Sequence, residues 1–547
     1  MQNIRYPMKN LWQALMMVRR CDVASFWRRV VYVMLQSLIP VAGLYVLKLL
    51  VDSITQAVGG GGAERVLPYL LALVALFLAG RVVSALSGVN NDVLSQRLID
   101  YMSDLMQRQA ARLDLSYYDT PEYHDTLHRA QQEVSTRPVA VLNNFMALLS
   151  AVVTLLGIAA LLVTASWWVL VIMVVAMVPT LAVRLYKARS IYQFRRGNTQ
   201  LYRRTSYYGQ LLTSRQTAAE MRAFGLAGWF RRLFVESRRL LVGRLLSISR
   251  RLGAADICCA VIEAAAMLVV IWLLIRQTLA AAITLGAFVM LLEAFRRGQS
   301  QLSTLASSIA GLYDNRLFVG NVFEFLGLEP VVLNPEEPLP MPGRVESVEF
   351  KEVTFRYPQG NRDVLSHFNF RAEMGEIALI EGRNGFGKST MVKLLLRLYD
   401  PCEGAVLMNG IDIRRFNLDE LRSRVGVLFQ DFVRYNCTAA ENIAFGCRDK
   451  QPADGCRQAA ELAGAAEVVE QLPQGENTML GRLFDGGCEL SMGQWQRVAL
   501  ARAFQSDAPL VILDEPYAWL DTNARRHLTE SLEELKKDKV VIVISHS

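Results

Sequence analysis

The sequence predicts two domains of unlike kind: an all-α transmembrane domain of six helices, followed by an α/β domain with a mainly parallel sheet. Three observations carry that expectation. Six apolar runs near bilayer length lie before residue 303. A stretch punctuated by proline, Pro330 to Pro342, cannot sustain a helix and marks a linker. Beyond it, short β-rich runs alternate with helical segments.

The bulk numbers agree. At 547 residues the chain exceeds one ordinary core, and a 52% hydrophobic fraction with mean hydropathy +0.22 places part of it in a bilayer. The net charge of +8 would suit nucleic acid, but the basic residues crowd beside the apolar runs, as in cytoplasmic loops. The eight cysteines form no CxxC pair and have no histidine partner at metal spacing, so free thiols in a reducing cytosol are expected.

The spans are expected at Val30–Leu50, Leu67–Leu86, Phe145–Val163, Trp167–Leu185, Ile257–Ile275 and Thr284–Leu302. Loops after the first, third and fifth are short or poor in charge, whereas those after the second and fourth are long and rich in arginine, which puts both termini and both long loops in the cytoplasm. The long segments, Arg97–Arg137 and Arg184–Arg251, keep apolar residues at helical spacing and are read as helices projecting below the membrane. "LYRRTSYYGQ" could be a basic, aromatic patch for single-stranded nucleic acid, but its place between two spans favours a solvated helical face. No nucleic-acid partner is expected. The expected boundaries are 1–329 for the transmembrane domain, 330–343 for the linker and 344–547 for the α/β domain.

"GRNGFGKS", Gly382 to Ser389, fits the GxxxxGK[ST] phosphate loop between the strand "IALIE" and the helix "TMVKLLLRLY". Its backbone N–H groups would cradle phosphate oxygens, Lys388 would reach the outer phosphates, and Ser389 could bind Mg²⁺. The apolar strand Leu510–Leu513 ends in Asp514 and Glu515, where one acid can hold the Mg²⁺ shell and the other can deprotonate an attacking water. An acid pair after a strand is by itself more often a solvated turn; with the phosphate loop present the balance reverses.

Together these motifs resemble the ATP-binding cassette superfamily, specifically exporters in which six spans and one P-loop nucleotide-binding domain share a chain, and the resemblance covers nearly the whole sequence. It implies ATP and Mg²⁺ as cofactors. The phosphate loop would supply Gly382, Arg383, Asn384, Gly385, Phe386, Gly387, Lys388, Ser389 and Thr390; Tyr357 in "VTFRYP" would stack on adenine; and Gln430 in "VLFQD" would sense Mg²⁺ and the membrane domain. Mg²⁺ would sit on Ser389, Gln430 and Asp514, the last through water. "LSMGQ", Leu490 to Gln494, matches the family's LSGGQ element, so Ser491, Gly493 and Gln494 would meet ATP held by a second chain; Glu515 and the switch histidine His546 would be catalytic. Singly, Tyr357 reads as a packed strand aromatic, Gln430 as a loop amide and His546 as a strand-end polar residue.

Three features depart from the family pattern. Met492 replaces the first glycine of the LSGGQ pair, which would be costly if that position needs positive φ or close backbone approach. "PYAWLD" replaces a "PTSALD"-like run, placing Tyr517 and Trp519 where two cassettes would meet. The chain stops one residue past the switch histidine, as expected of a truncated domain.

The segments Leu113–Glu133 and Ala218–Phe234 resemble the coupling loops of bacterial exporters linked to peptide antibiotics, which identify relatives better than cargo. Glu263, and Glu293 with Arg296 and Arg297, are charged residues inside expected spans; a cargo role and a structural ion pair weigh about equally. The resulting expectation is an ATP-driven half-transporter in a bacterial inner or cell membrane. It would work as a homodimer or heterodimer by alternating access and export a peptide or another amphipathic solute. A lipid or drug exporter, or a catalytically weak regulatory subunit, are the alternatives.

Overall fold

The computed structural model describes residues 16–58, 63–120, 127, 134, 136–358, 360–382, 387–446, 456–505 and 508–545. Two compact units emerge, one of residues 1–111 and 126–328, the other of 112–125 and 329–547.

The first unit is helical: α1 (Val23–Val58), α2 (Leu67–Arg112, whose last residue belongs to the second unit), α3 (Arg137–Gly197), α4 (Thr199–Thr213), α5 (Ala218–Ala223), α6 (Ala227–Leu279) and α7 (Leu285–Leu326). The 46 residues of α2 reach about 69 Å at 1.5 Å each, more than twice a hydrocarbon core of about 30 Å. The arginine-rich segments therefore continue the spans as helix, the first as far as Arg112; residues 121–126, 128–133 and 135 of that segment lie outside the described residues. The third and fourth expected spans are joined within α3 through Ser166, whose extended backbone (φ −165°, ψ 84°) breaks the helix at the expected "TAS" turn.

Among the described residues, five helical stretches are long and apolar enough to cross a membrane. The sixth expected span falls in α7, where Glu293, Arg296 and Arg297 interrupt the apolar run. Leu44, Ile158, Leu162, Met173, Leu274 and Phe295 form a common core from α1, α3, α6 and α7, while Phe77, Leu156, Trp167 and Leu268 are exposed, as lipid-facing side chains would be.

The second unit holds two sheets. Strands β3 (Ile377–Glu381), β6 (Val425–Leu428), β7 (Leu510–Asp514) and β8 (Val540–Ser545) form a parallel sheet in the order β3-β8-β7-β6. β1 (Ser347–Phe355), β2 (Leu365–Glu373), β4 (Glu403–Met408) and β5 (Ile411–Asp412) form an antiparallel sheet in the order β2-β1-β4-β5. A single mainly parallel sheet is thus only half of the strand architecture. The parallel strands β7 and β8 are almost wholly buried and read as unbroken apolar runs; β2 is largely exposed and carries polar residues, which hides it in the sequence.

Three helices flank the functional region: α8 (Lys388–Leu395), α9 (Met492–Gln505) and α10 (Thr522–Leu535). The segment after α2 belongs to this unit and forms a short helix, Leu115–Tyr118. Asp114 accepts the backbone N–H of Val332 (3.1 Å), and Tyr399 donates its hydroxyl to Asp119. Burial and the neighbouring Asp119 push the Tyr399 phenol far up, so it remains a neutral donor.

Candidate functional site

The β3 strand delivers the chain to Gly382, and Gly387 at φ +81° opens α8. A Cβ on Gly387 would lie 2.8 Å from a Leu365 methyl, so both conformation and space demand glycine there. Arg383, Asn384, Gly385 and Phe386 lie outside the described residues, as does His546. Lys388 is buried, and its ammonium donates to the carbonyls of Gly382 and Ser545 (3.1 Å to the latter), which fixes it between the loop and the end of β8.

Ser389 Oγ donates to Asp514 Oδ2 at 3.0 Å, and Asp514 is only 4% exposed. Glu515, the next residue, has φ +54°, a left-handed conformation that costs a non-glycine residue about 1–2 kcal/mol. Hydrogen bonds hold it there: its N–H donates to Ile544 O (2.9 Å), its carbonyl accepts from Gln496 Nε2 (3.0 Å) and Ala518 N–H (3.3 Å), and its carboxylate accepts from Gln430 Nε2 (2.9 Å). Two hydrogen-bonded pairs, Ser389–Asp514 and Gln430–Glu515, thus meet on adjacent residues at the end of β7.

Tyr357 is half-buried, its ring edge-on to Phe355 and Tyr399 at 5.0 and 5.4 Å, with the Lys393 ammonium 5.2 Å from its centre. Its hydroxyl lies 3.0 Å from Thr390 Oγ1, which ties it to the first turn of α8. Through Tyr399 the same aromatic cluster reaches Asp119.

Ser491 and Gln494 bond each other reciprocally, Ser491 N–H to Gln494 Oε1 (2.9 Å) and Gln494 N–H to Ser491 Oγ (3.3 Å). This is the capping-box pattern, so S-x-x-Q is by itself a local instruction to start α9. Met492 is the first residue of α9 and is absent from the residues with positive φ, so its backbone is unstrained; its side chain is 37% exposed, with Sδ 3.9 Å from an Arg434 nitrogen. Gly493 is different. A Cβ there would come within 2.6 Å of the Trp519 carbonyl oxygen, a backbone atom that cannot swing aside. Of the two central positions in "LSMGQ", only the second meets a steric demand within this chain.

The sequence gives no warning of Gln496. It is 2% exposed, donates to the carbonyls of Glu515 and Pro516 (3.0 and 2.8 Å) and accepts from Trp519 N–H (3.0 Å), thereby tying α9 to the turn that carries Glu515. A buried glutamine needs such partners, but nothing in its spacing identifies them. Trp519 is 57% exposed, whereas Tyr517 packs on the core beside α9. Asp521 caps α10 through Ala524 N–H and pairs with Arg497 at 3.2 Å.

In α7, Glu293 binds Arg296 through two hydrogen bonds (2.9 and 2.8 Å) and reaches Arg297 at 3.5 Å. The structural ion pair therefore accounts for Glu293. Glu263 instead accepts from Thr180 at 2.6 Å and forms no ion pair among the described residues.

Residues 365–518 match the family model described as ABC transporter, and residues 30–296 match that described as ABC transporter transmembrane region. The chain is 26% identical to the subtilin transport ATP-binding protein SpaT of Bacillus subtilis, over all of this chain and 89% of that protein. It is 27% identical to the nisin transport ATP-binding protein NisT of Lactococcus lactis subsp. lactis (93% and 84% covered) and 28% identical to an ATP-dependent lipid A-core flippase of Vibrio cholerae serotype O1 (92% and 86%). Its fold is similar to that of a bacterial Atm1-family ABC exporter solved with ATP bound, with TM-score 0.78, 23% identity, and 96% and 92% of the two chains covered.

Proposed function

The chain belongs to the ABC transporter family, and from that premise we propose that it works as one half of a dimeric exporter that moves a peptide or another amphipathic solute outward by alternating access. It is a multi-pass membrane protein whose cytoplasmic domain binds and hydrolyses ATP in coupling with transport. The peptide reading rests on one observation: relatives named for subtilin and nisin transport align with nearly the whole chain.

In the proposed cycle, the phosphate loop Gly382–Thr390 holds ATP, with Lys388 on the outer phosphates and Tyr357 against the adenine. Each chain lends its helix start at Ser491, Gly493 and Gln494 to the ATP on the other chain's loop, so ATP closes the dimer. Ser389, Asp514 and Gln430 offer hard oxygen donors around a buried carboxylate, a set that suits Mg²⁺ held partly through water. When bound, that ion neutralises charge on the β- and γ-phosphates. Glu515 takes a proton from water as its oxygen bonds to the γ-phosphorus and the bond to the bridging oxygen breaks. His546 contributes at the γ-phosphate, and release of products reopens the dimer.

The test is ATP-dependent uptake of a synthetic amphipathic peptide into inverted membrane vesicles containing the chain. The proposal expects uptake that Glu515→Gln abolishes. ATP-dependent movement of a fluorescent lipid between leaflets, with no peptide uptake, would assign the chain to lipid flipping.

A further inference from the structure

The transmembrane unit contains a cavity of about 630 Å³ between α3, α6 and α7, large enough for a few side chains of a bound solute. Five charged residues line it: Arg184 and Lys187 from α3, Asp256 and Glu263 from α6, and Asp314 from α7. Two of the three acids are already neutralised, Asp256 by Lys187 at 3.1 Å and Asp314 by Arg137 at 3.7 Å. Among the described residues Glu263 has no such cation. Its Oε1 accepts the Thr180 hydroxyl at 2.6 Å, which orients the carboxylate without neutralising it. An ionised carboxylate in the fifth span is costly unless a positive charge answers it.

We propose that Glu263 is the cargo-recognition carboxylate of this cavity and takes one ammonium or guanidinium group of an amphipathic peptide. The rest of the lining limits how much positive charge can enter. Arg184 donates to the Ser303 carbonyl at 2.8 Å and forms no ion pair among the described residues, so its charge, unlike that of the paired Lys187, repels a second cation. The site therefore selects a peptide with a single cationic group among apolar residues. This rests on the export reading above and deepens it by naming the cargo chemistry.

The experiment uses the full-length chain in nanodiscs and two fluorescent leucine-rich decapeptides, one with a single central lysine and the other with norleucine in its place. Binding by anisotropy should favour the lysine peptide about tenfold in the native protein, as one charge-assisted hydrogen bond would give. Glu263→Gln should abolish the preference by weakening the lysine peptide alone, and Glu263→Asp should keep part of it. Equal native affinity for the two peptides, or equal weakening of both by Glu263→Gln, would overturn the proposal. ATPase of the native protein is measured in the same preparation. Turnover without peptide selectivity would reject this site and leave the exporter standing, whereas selectivity without turnover would reject the transport engine and leave the site.

Discussion

Around Asp514 the polar side chains bond across elements: Ser389 from α8 meets Asp514 at the end of β7, and Gln430, just beyond β6, meets Glu515. Around Ser491 they bond within one helical turn, Ser491 and Gln494 capping α9 reciprocally. The first region is a construction of several strands, in which each side chain occupies a position that another depends on. The second is a helix start whose N–H groups act through backbone geometry, so side-chain identity matters there only where something else approaches. That difference explains how the chain can carry Met492 yet retain Gly493.

The largest effect should follow a change in the first region. Glu515→Gln keeps the hydrogen-bonding shape and the left-handed backbone but removes the proposed base, so ATP binding should persist while turnover falls by about 10²-fold or more. Near-native ATPase in the purified variant would remove Glu515 from the role and erase the contrast. Gly493→Ala comes next. Its methyl must displace the Trp519 carbonyl from 2.6 Å, moving the Glu515–Trp519 turn that Gln496 holds, and turnover should fall by about tenfold or more. Native-like turnover would show that the close approach carries no functional weight.

At the adenine side the effect should be smaller. Tyr357→Ala should weaken nucleotide binding by about five- to tenfold, within the usual worth of base stacking, while Tyr357→Phe loses only the Thr390 contact and should bind nearly as well. Equal affinities for all three proteins, measured with a fluorescent ATP analogue, would leave Tyr357 as a packing residue against Phe355 and Tyr399.

How far the sequence could be read follows from the same contrast. The parallel strands β7 and β8 announce themselves because burial on both faces makes them continuous apolar runs, whereas β3, half-buried to exposed, is marked by the phosphate loop directly after it. The antiparallel sheet was illegible because β2 exposes most of its residues to solvent. Helix α9 begins where S-x-x-Q places it, so the start was readable while the reason for Gly493 was not: the obstacle is a backbone oxygen 26 positions away in sequence, brought close only by folding. Glu293 shows the reverse. Its partners are local, at i+3 and i+4, yet the sequence alone weighs an ion pair equally with a cargo role and the structure decides for the pair, whereas Glu263 is distinguished only by α3 lying beside α6.

The smallest effect tests the account most directly. Native protein and Met492→Gly, each assembled in nanodiscs, are compared for Mg²⁺-dependent ATPase. Met492 has an unstrained backbone and an exposed side chain, so the account predicts measurable turnover in the native protein and a gain of about tenfold or less with glycine. No native turnover, together with strong rescue by Met492→Gly, would contradict it and make the site a degenerate one.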